Sequence, residues 1–359
     1  MSQLNFAIVD PHIHQWDPYT TPHTAGRLVK LLGKHPKLMH AMIQALKPKP
    51  LLETVGHPEH ILKPYLPQDY KKDCGNYMVE AVAHIEASWH HHKGFGVVEE
   101  TQWIKKLPFH TQQLKLGAIV ATADPRDRKF KKILEAHQQA SPLFRGIRKM
   151  ASWHPDVGIH RWCDQSNLYT QKSFLKGFEH LADMQLSFDA WGYANQINDI
   201  KSLAQNFPNT PIMLDHLATP VGLFGKVGKS TGYKPSQRKA IFQQWKDDIS
   251  HLAEQKNVHA KISGLMMPVL GHGYFRAKRT ATVNEMVELL SPMIEHAVAV
   301  FGTYRIVYAS NYPMDKPNAK LTDLIKAYIH MLSPYGAKNL QNMMRDNAIA
   351  FYKMDLKKT

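Results

Sequence analysis

Eight short apolar runs, each closed by a polar or charged residue and separated by longer amphipathic stretches, restrict the fold of this chain more than any other feature. They lie at 6–9, 77–85, 116–121, 144–148, 185–188, 211–214, 258–262 and 305–308, and are rich in Val, Ile, Leu and Phe. Helical patterns fill the gaps at 129–139, 174–184, 241–255, 283–300 and 321–333, and 347–353 reads as the end of a closing helix. Strand and helix in alternation predict a parallel sheet wrapped by helices. Eight such units in 359 residues favour a closed (β/α)8 TIM barrel over an open sheet. With 43% hydrophobic and 21% charged residues the chain can bury a core of that size, so residues 1–359 are expected to form one α/β domain.

Two intervals exceed the regular spacing. Residues 18–73 separate strands one and two and include an amphipathic stretch, 28–46, with Leu28, Leu31, Leu32, Leu38, Met39, Met42, Ile43 and Leu46 as its apolar positions. Residues 218–236 follow strand six and are rich in Gly, Lys and Ser. Both follow strand carboxyl ends, the face on which barrels carry their chemistry. Two readings stay open for 18–73: a lid over the mouth, or an extra helical pair packed on the barrel.

The net charge of +15 speaks to solubility and steering rather than to fold. No acidic residue lies between Asp17 and Glu53, where Arg27, Lys30, Lys34, Lys37, Lys47 and Lys49 fall. No homeodomain, zinc-finger or RNP signature converts this charge into nucleic-acid recognition. There is no apolar run of the ~18 residues that a membrane helix needs, and Met1 to Asp10 lacks a secretory pattern. The expected partner is therefore a small anionic molecule, not nucleic acid or membrane, and the expected location cytoplasmic; self-association stays open. Cys74 and Cys163 stand alone, which argues against a disulfide framework or a structural zinc site. The segment 222–230, GLFGKVGKS, has one residue too many for a phosphate-cradling loop. His90-His91-His92 reads as a loop or helix end, and Gly94-x-Gly96 lacks the third glycine of a dinucleotide fingerprint.

Candidate chemistry gathers at strand ends. Asp10-Pro11-His12-Ile13-His14 follows the first apolar run. Residues two apart on a strand face the same side, so His12 and His14 can converge at the barrel mouth and bind a metal or orient a water. His216 directly follows Ile212-Met213-Leu214-Asp215, and a site shared with the His pair is the better reading.

At this point the chain resembles the amidohydrolase-related (amidohydrolase 2) proteins, described as metal-dependent TIM-barrel hydrolases and including sugar and dicarboxylate lactonases. The resemblance rests on Val9-Asp10-Pro11-His12-Ile13-His14-Gln15-Trp16-Asp17-Pro18, His84-Ile85-Glu86-Ala87 and Arg145-Gly146-Ile147-Arg148. It continues in Leu214-Asp215-His216, Lys261-Ile262-Ser263-Gly264-Leu265, Ala309-Ser310-Asn311-Tyr312-Pro313, Asp346-Asn347-Ala348 and Phe351-Tyr352. It implies that His12 and His14 are metal ligands and that His216 is the strand-six catalytic histidine. The implied cofactor is one divalent ion, zinc or manganese, that activates water; a metal-free site, in which a strand-eight carboxylate acts as base, is the other form the family takes.

One position departs from the pattern. The strand-eight Asp of the family is Asn311 here, and an amide accepts no proton at neutral pH. Asp315, Asp189 and Glu86 are the candidate replacements, each of which could instead cap a loop or hold an arginine. Arg148, ending strand four, suits bidentate recognition of a carboxylate or polarisation of a carbonyl; an ion pair with Asp189 is its bland alternative. Trp16, Asp189 and Asn311 are expected beside it at the substrate, with Trp153 and Trp191 as further wall candidates. Lys149 should point away from Arg148, so a bridging carboxylated lysine has no counterpart at strand four. The expected activity is opening of a lactone or similar cyclic carbonyl compound by an activated water. The alternatives are a metal-dependent decarboxylase, which wants a histidine at strand five where Asp189-Ala190-Trp191 stands, and a barrel that binds without catalysis.

Overall fold

The computed structural model describes residues 4–22, 49–56 and 59–356. Eight strands, β1 (Ile8–Ile13), β2 (Val79–Ile85), β3 (Lys115–Thr122), β4 (Phe144–Met150), β5 (Ser187–Trp191), β6 (Ile212–Leu214), β7 (Val258–Ile262) and β8 (Ile306–Tyr308), pair in sequence order. Every pairing is parallel. A parallel bridge between Ile13 and Tyr312 brings the end of β8 onto β1 and closes the ring into a (β/α)8 barrel. A helix follows each strand: α1 (Pro67–Asp73), α2 (Val98–Lys105), α3 (Phe130–Ala140), α4 (Lys172–Asp183), α5 (Ile197–Asn206), α6 (Pro235–Ala253), α7 (Val283–Phe301) and α8 (Leu321–Leu332). Among the described residues no helix is long and apolar enough to cross a membrane.

Two strands outrun their apolar signal. The pattern stops at Val9 and Phe188, whereas β1 and β5 continue to Ile13 and Trp191. The ladder persists where the inward residues turn polar, so His12 and Asp189 lie within strands rather than after them. Alternation across each strand sorts the rest. Ile8, Val82, Ile147, Phe188, Ile212, Leu214, Val258, Ala260, Ile262 and Ile306 face the helices. Val9, Ala81, Ala83, Ala118, Val120, Met213 and Val307 face the barrel axis and pack on Ile349, Phe351, Tyr352 and Met354, so the C-terminal segment plugs the amino-terminal end. The opposite end is left to the polar inward residues.

Of the long insertion, 28–46 falls outside the described residues. Lys49–Val55 is helical, Glu53 pairs with Arg276, and Gly56 abuts Pro268 and Pro317, so this end rests on the loops after β7 and β8. The loop after β6 is zipped to the loop after β7 by Gly222 N–H to Val269 O (3.0 Å) and Phe224 N–H to Leu270 O (2.9 Å). Its glycine-lysine-serine turn already holds an anion, because the Lys229 and Ser230 amides donate to the Asp156 carboxylate (3.0 and 2.8 Å).

Candidate active site

The register between β1 and β2 slips between Asp10 and Ile13, and this bulge turns His12 inward three residues after inward-facing Val9. Asp10 itself faces away from the axis. Its Oδ1 accepts from the Ser310 and His12 amides (2.9 and 3.3 Å) and its Oδ2 from the Tyr70 hydroxyl (2.7 Å), tying β1 to β8 and α1. Beyond the strand, His14 donates from Nδ1 to the Ile85 carbonyl (2.9 Å), which leaves its Nε2 lone pair 3.3 Å from Asn311 Oδ1. Two acceptors thus face one another there. Outside this layer, Gln15 N–H donates to His84 Nδ1 (3.3 Å), so His84 Nε2 carries its proton toward Glu100 (3.2 Å). Burial, aided by the nearby Glu86 charge, pushes Glu100 up to about 8.

After β6 the chain makes a buried left-handed turn, with φ of 56°, 48°, 58° and 36° at His216, Leu217, Ala218 and Thr219. Such residues cost roughly 1–2 kcal/mol each outside glycine. The turn persists because Trp245 of α6 donates to the Leu217 carbonyl (2.8 Å) and Trp191 to Thr219 Oγ1 (3.0 Å). It presents Asp215 and His216 side by side. His216 Nδ1 is hydrogen-bonded to Ser263 Oγ (2.8 Å), and the next residue, Gly264 (φ 62°), lies flat against the imidazole: a Cβ there would stand 2.5 Å from Nδ1. The His12 ring is centred 4.5 Å from that of His216 and 5.0 Å from that of His14.

Below these rings lies Lys261 of β7, to which the sequence reading gave no role. Its Nζ is 2.5 Å from Asp189 Oδ2, 3.1 Å from Asp215 Oδ1 and 3.2 Å from His12 Nδ1. Tyr352 of the C-terminal plug donates to the same Asp189 oxygen (2.8 Å). Burial raises Asp189 to about 6 against the opposing pull of Lys261. The signal was present: with Val258, Ala260 and Ile262 outward, His259 and Lys261 must point in. In the sequence Asp215 stands out only as the neighbour of His216.

Arg148 is paired, but with Glu86 rather than Asp189. Its Nε and Nη2 contact Glu86 Oε1 (2.9 and 2.7 Å) and Nη2 also the Glu86 carbonyl (3.0 Å), while Nη1 is left 3.4 Å from His12 Nε2. Burial alone would raise Glu86, yet the Arg148 charge and hydrogen bonds hold it below the usual range, so Glu86 anchors an arginine and is not a free base. Lys149 turns away to Asp124 (3.2 Å). Asp315 sits behind Asn311: its Oδ1 accepts from Asn311 Nδ2 (2.9 Å) and its Oδ2 from the Met266 amide (3.1 Å), and burial lifts it to about 7. Of the three tryptophans, Trp191 reaches the cluster, 5.6 Å from both the His216 ring and the Arg148 guanidinium. Trp16 stacks on His14 at 6.5 Å, and Trp153 packs under Arg161 on the outer loop.

Burial depresses all three imidazoles, and neighbouring cations depress each of them further: His12 and His216 well below their usual range and His14 to about 3. They are neutral at physiological pH, the form that ligates metals. Ligand atoms of His12, Asp215 and His216 lie within 4.8 Å of one another. His14 is not in that group. Both oxygens of Asp215 are buried and held by ion pairs rather than hydrogen bonds: Oδ1 lies 3.1 Å from Lys261 Nζ and 3.4 Å from His12 Nδ1, and Oδ2 lies 3.8 Å from Arg148 Nη1. Two buried cations, Lys261 and Arg148, face three carboxylates, Asp189, Asp215 and Glu86, an excess of one negative charge. A loosely paired carboxylate oxygen, Asp215 Oδ2, together with neutral imidazoles and a deficit of positive charge, fits a divalent cation.

A closed parallel barrel with imidazoles and carboxylates converging at the carboxyl ends of its strands has the layout of a barrel enzyme. The chain belongs to the amidohydrolase family, whose model matches residues 9–354. It is 27% identical over 353 residues to the uncharacterized protein y4mH of Sinorhizobium fredii, covering 98% of this chain and 99% of that one. An L-fucono-1,5-lactonase of Burkholderia ambifaria is 23% identical over 175 residues, 49% of this chain and 48% of its own. A crystal structure of an amidohydrolase from Burkholderia multivorans with bound zinc has a TM-score of 0.68 at 16% identity, covering 97% of this chain and all of that one.

Proposed function

We propose that this protein hydrolyses a lactone or similar cyclic ester of a small anionic compound, using a water held between His12, Asp215 and His216. The observation that carries the reading is Asp215, a buried carboxylate whose Oδ1 is paired with Lys261 and whose Oδ2 stands 3.8 Å from Arg148 Nη1, set beside two neutral imidazoles at the barrel mouth. It supplies the proton acceptor that Asn311 cannot be. A divalent ion, zinc or manganese, would be held by His12, Asp215 and His216; when bound it acidifies water and polarises a carbonyl.

Asp215 takes the proton as the water oxygen adds to the ester carbonyl. Arg148 Nη1, free of Glu86, donates to the oxyanion that forms. When the tetrahedral adduct collapses, the ring C–O bond breaks and the proton passes from Asp215 to the departing alkoxide, leaving hydroxy acid and a regenerated site. Trp191 and the Glu86–Arg148 pair fix the ring beside the water. Similarity over half the chain to a protein named a lactonase supports the ester class. Support for an anionic substrate comes from the acid-free segments 216–246 and 263–284, which follow β6 and β7 and expose Lys226, Lys229, Lys234 and Lys278. Nothing at β5 favours decarboxylation, because Asp189 is occupied by Lys261 and Tyr352.

The test is a pH-indicator assay on sugar aldonolactones and carboxylated lactones with zinc or manganese supplied. Ring opening by the wild type, reduced about 10²- to 10⁴-fold in Asp215→Asn, is expected. Equal rates would remove Asp215 as proton acceptor. Turnover of hydroxybenzoates with no lactone opened would replace the reading by decarboxylation.

A further inference from the structure

The deep end of the site is organised around one point, the Nζ of Lys261. Two carboxylates, Asp189 (2.5 Å) and Asp215 (3.1 Å), and the Nδ1 of His12 (3.2 Å) converge on it. The Tyr352 hydroxyl hydrogen-bonds to the same Asp189 oxygen, and the Tyr352 ring lies 5.1 Å from Nζ. Carboxylate oxygens and an imidazole nitrogen gathered around one buried point are the donor set of a divalent metal. Metal–ligand bonds to such donors are about 2.0–2.2 Å, so an ion there would draw in donors that now stand 2.5 to 3.2 Å from Nζ. Asp215 and His12 also belong to the outer group formed with His216. The two positions are therefore neighbours: Asp215 has an oxygen for each, whereas the single lone pair of neutral His12 can serve only one of them.

We infer that Lys261 is a built-in cation filling a second metal position, and that it limits this barrel to one exchangeable ion. The inference rests on the proposed single ion at His12, Asp215 and His216. An ammonium fixed to β7 cannot dissociate, and it is fully buried. It holds Asp215 from the inside and leaves that carboxylate's second oxygen for the outer position. In Lys261→Ala, Asp189, Asp215 and Glu86 would face Arg148 alone, an excess of two negative charges, in a space vacated by three methylenes and an ammonium.

The experiment is metal content by mass spectrometry after dialysis against excess zinc and gel filtration, with zinc-edge anomalous diffraction to place each ion. Wild-type protein is expected to hold one equivalent at His12, Asp215 and His216. Lys261→Ala is expected to hold two, the second between Asp189 and Asp215; Lys261→Met, which fills the space without charge, is expected to hold no second ion. One equivalent in both wild type and Lys261→Ala, with unchanged melting temperature, overturns the inference and leaves the single-ion reading standing. No zinc in the wild type overturns both. Should Lys261→Ala not fold, the wild type decides: an ion found between Asp189 and Asp215 at millimolar zinc overturns the inference, and its absence beside an occupied outer position supports it.

Discussion

On the β6–β7 side of the barrel mouth, Asp215 is ion-paired with Lys261 through Oδ1 and turns Oδ2 toward Arg148 at 3.8 Å, and His216 stands on a left-handed turn with Gly264 pressed to its ring. On the β8 side, Asn311 occupies the corresponding strand end, its amide nitrogen tied to Asp315 and its oxygen turned to His14. One side carries a carboxylate held only by ion pairs with Lys261 and Arg148; the other carries an amide whose nitrogen is tied to Asp315 and whose oxygen meets the His14 Nε2 lone pair. A half-satisfied polar group in a low-dielectric interior is costly unless something else completes it. The β6–β7 side therefore has the character of a reacting centre, whereas the β8 side reads as a buttress. On the proposed reading, the carboxylate expected after β8 has its counterpart in Asp215 after β6.

The largest effect that can break this contrast is at His216. His216→Ala should abolish zinc retention and lower kcat/KM about 10²- to 10⁴-fold. An equal loss in His14→Ala with His216→Ala near wild type would move the centre to the β8 side. Gly264→Ala comes next. A methyl 2.5 Å from His216 Nδ1, on a backbone with φ of 62°, must displace the ring. Displacement near 1 Å costs about 10²-fold in rate, so kcat should fall while circular dichroism stays native. An unchanged rate would show that the turn does not set the imidazole.

Asn311→Asp sharpens the contrast further. The new carboxylate would lie beside Asp315, and two carboxyls at the 2.9 Å separation of the present hydrogen bond must share a proton. A change in rate of about 10-fold or less is expected, within the usual cost of a neighbouring electrostatic change. The informative protein is the double variant: Asn311→Asp combined with Asp215→Asn should not restore turnover. Restoration would mean that β8 remains a competent position for the base and that the geometry has kept both sides available.

How much of this could be read in the sequence follows the same division. The barrel and the His12–His14 pair were legible because period-two alternation and strand-end placement are local properties. The bulge that turns His12 inward was not, since it exists only in the register with β2. Lys261 was readable in principle from the alternation Val258, Ala260, Ile262, but a lysine at the axis becomes intelligible only once Asp189, Asp215 and Tyr352 surround it. Those partners come from β5, the turn after β6 and the C-terminal plug. The partner of Arg148 was misplaced for the same reason: Asp189 is its neighbour across the β4–β5 ladder, yet Lys261 holds Asp189, and the guanidinium reaches across the mouth to Glu86. Residue spacing identifies which groups face inward; it does not say which inward groups meet.

The smallest effect on turnover is expected at Asp315, where the consequence is for stability instead. Burial raises Asp315 from 3.8 to about 7, against hydrogen bonds from Asn311 and the Met266 amide that favour the charged form. Its folded pKa lies above the unfolded one, so its contribution to stability is complete below about pH 4 and is lost as pH rises toward 7. The full swing is on the order of 4 kcal/mol. Asp315→Asn cannot ionise, and its stability relative to wild type should therefore climb between pH 4 and 7 and level off above. Urea denaturation of both proteins across that range measures the difference. The buried histidines act with the opposite sign, since their depressed pKa values make stability fall as pH drops below 6.5. They are common to both proteins and cancel in the comparison. A flat difference curve would show that Asp315 is not desolvated as its two hydrogen bonds and burial require; a loss of lactone opening in Asp315→Asn, with zinc retained, would make the β8 side a participant in the reaction and dissolve the contrast between the two sides.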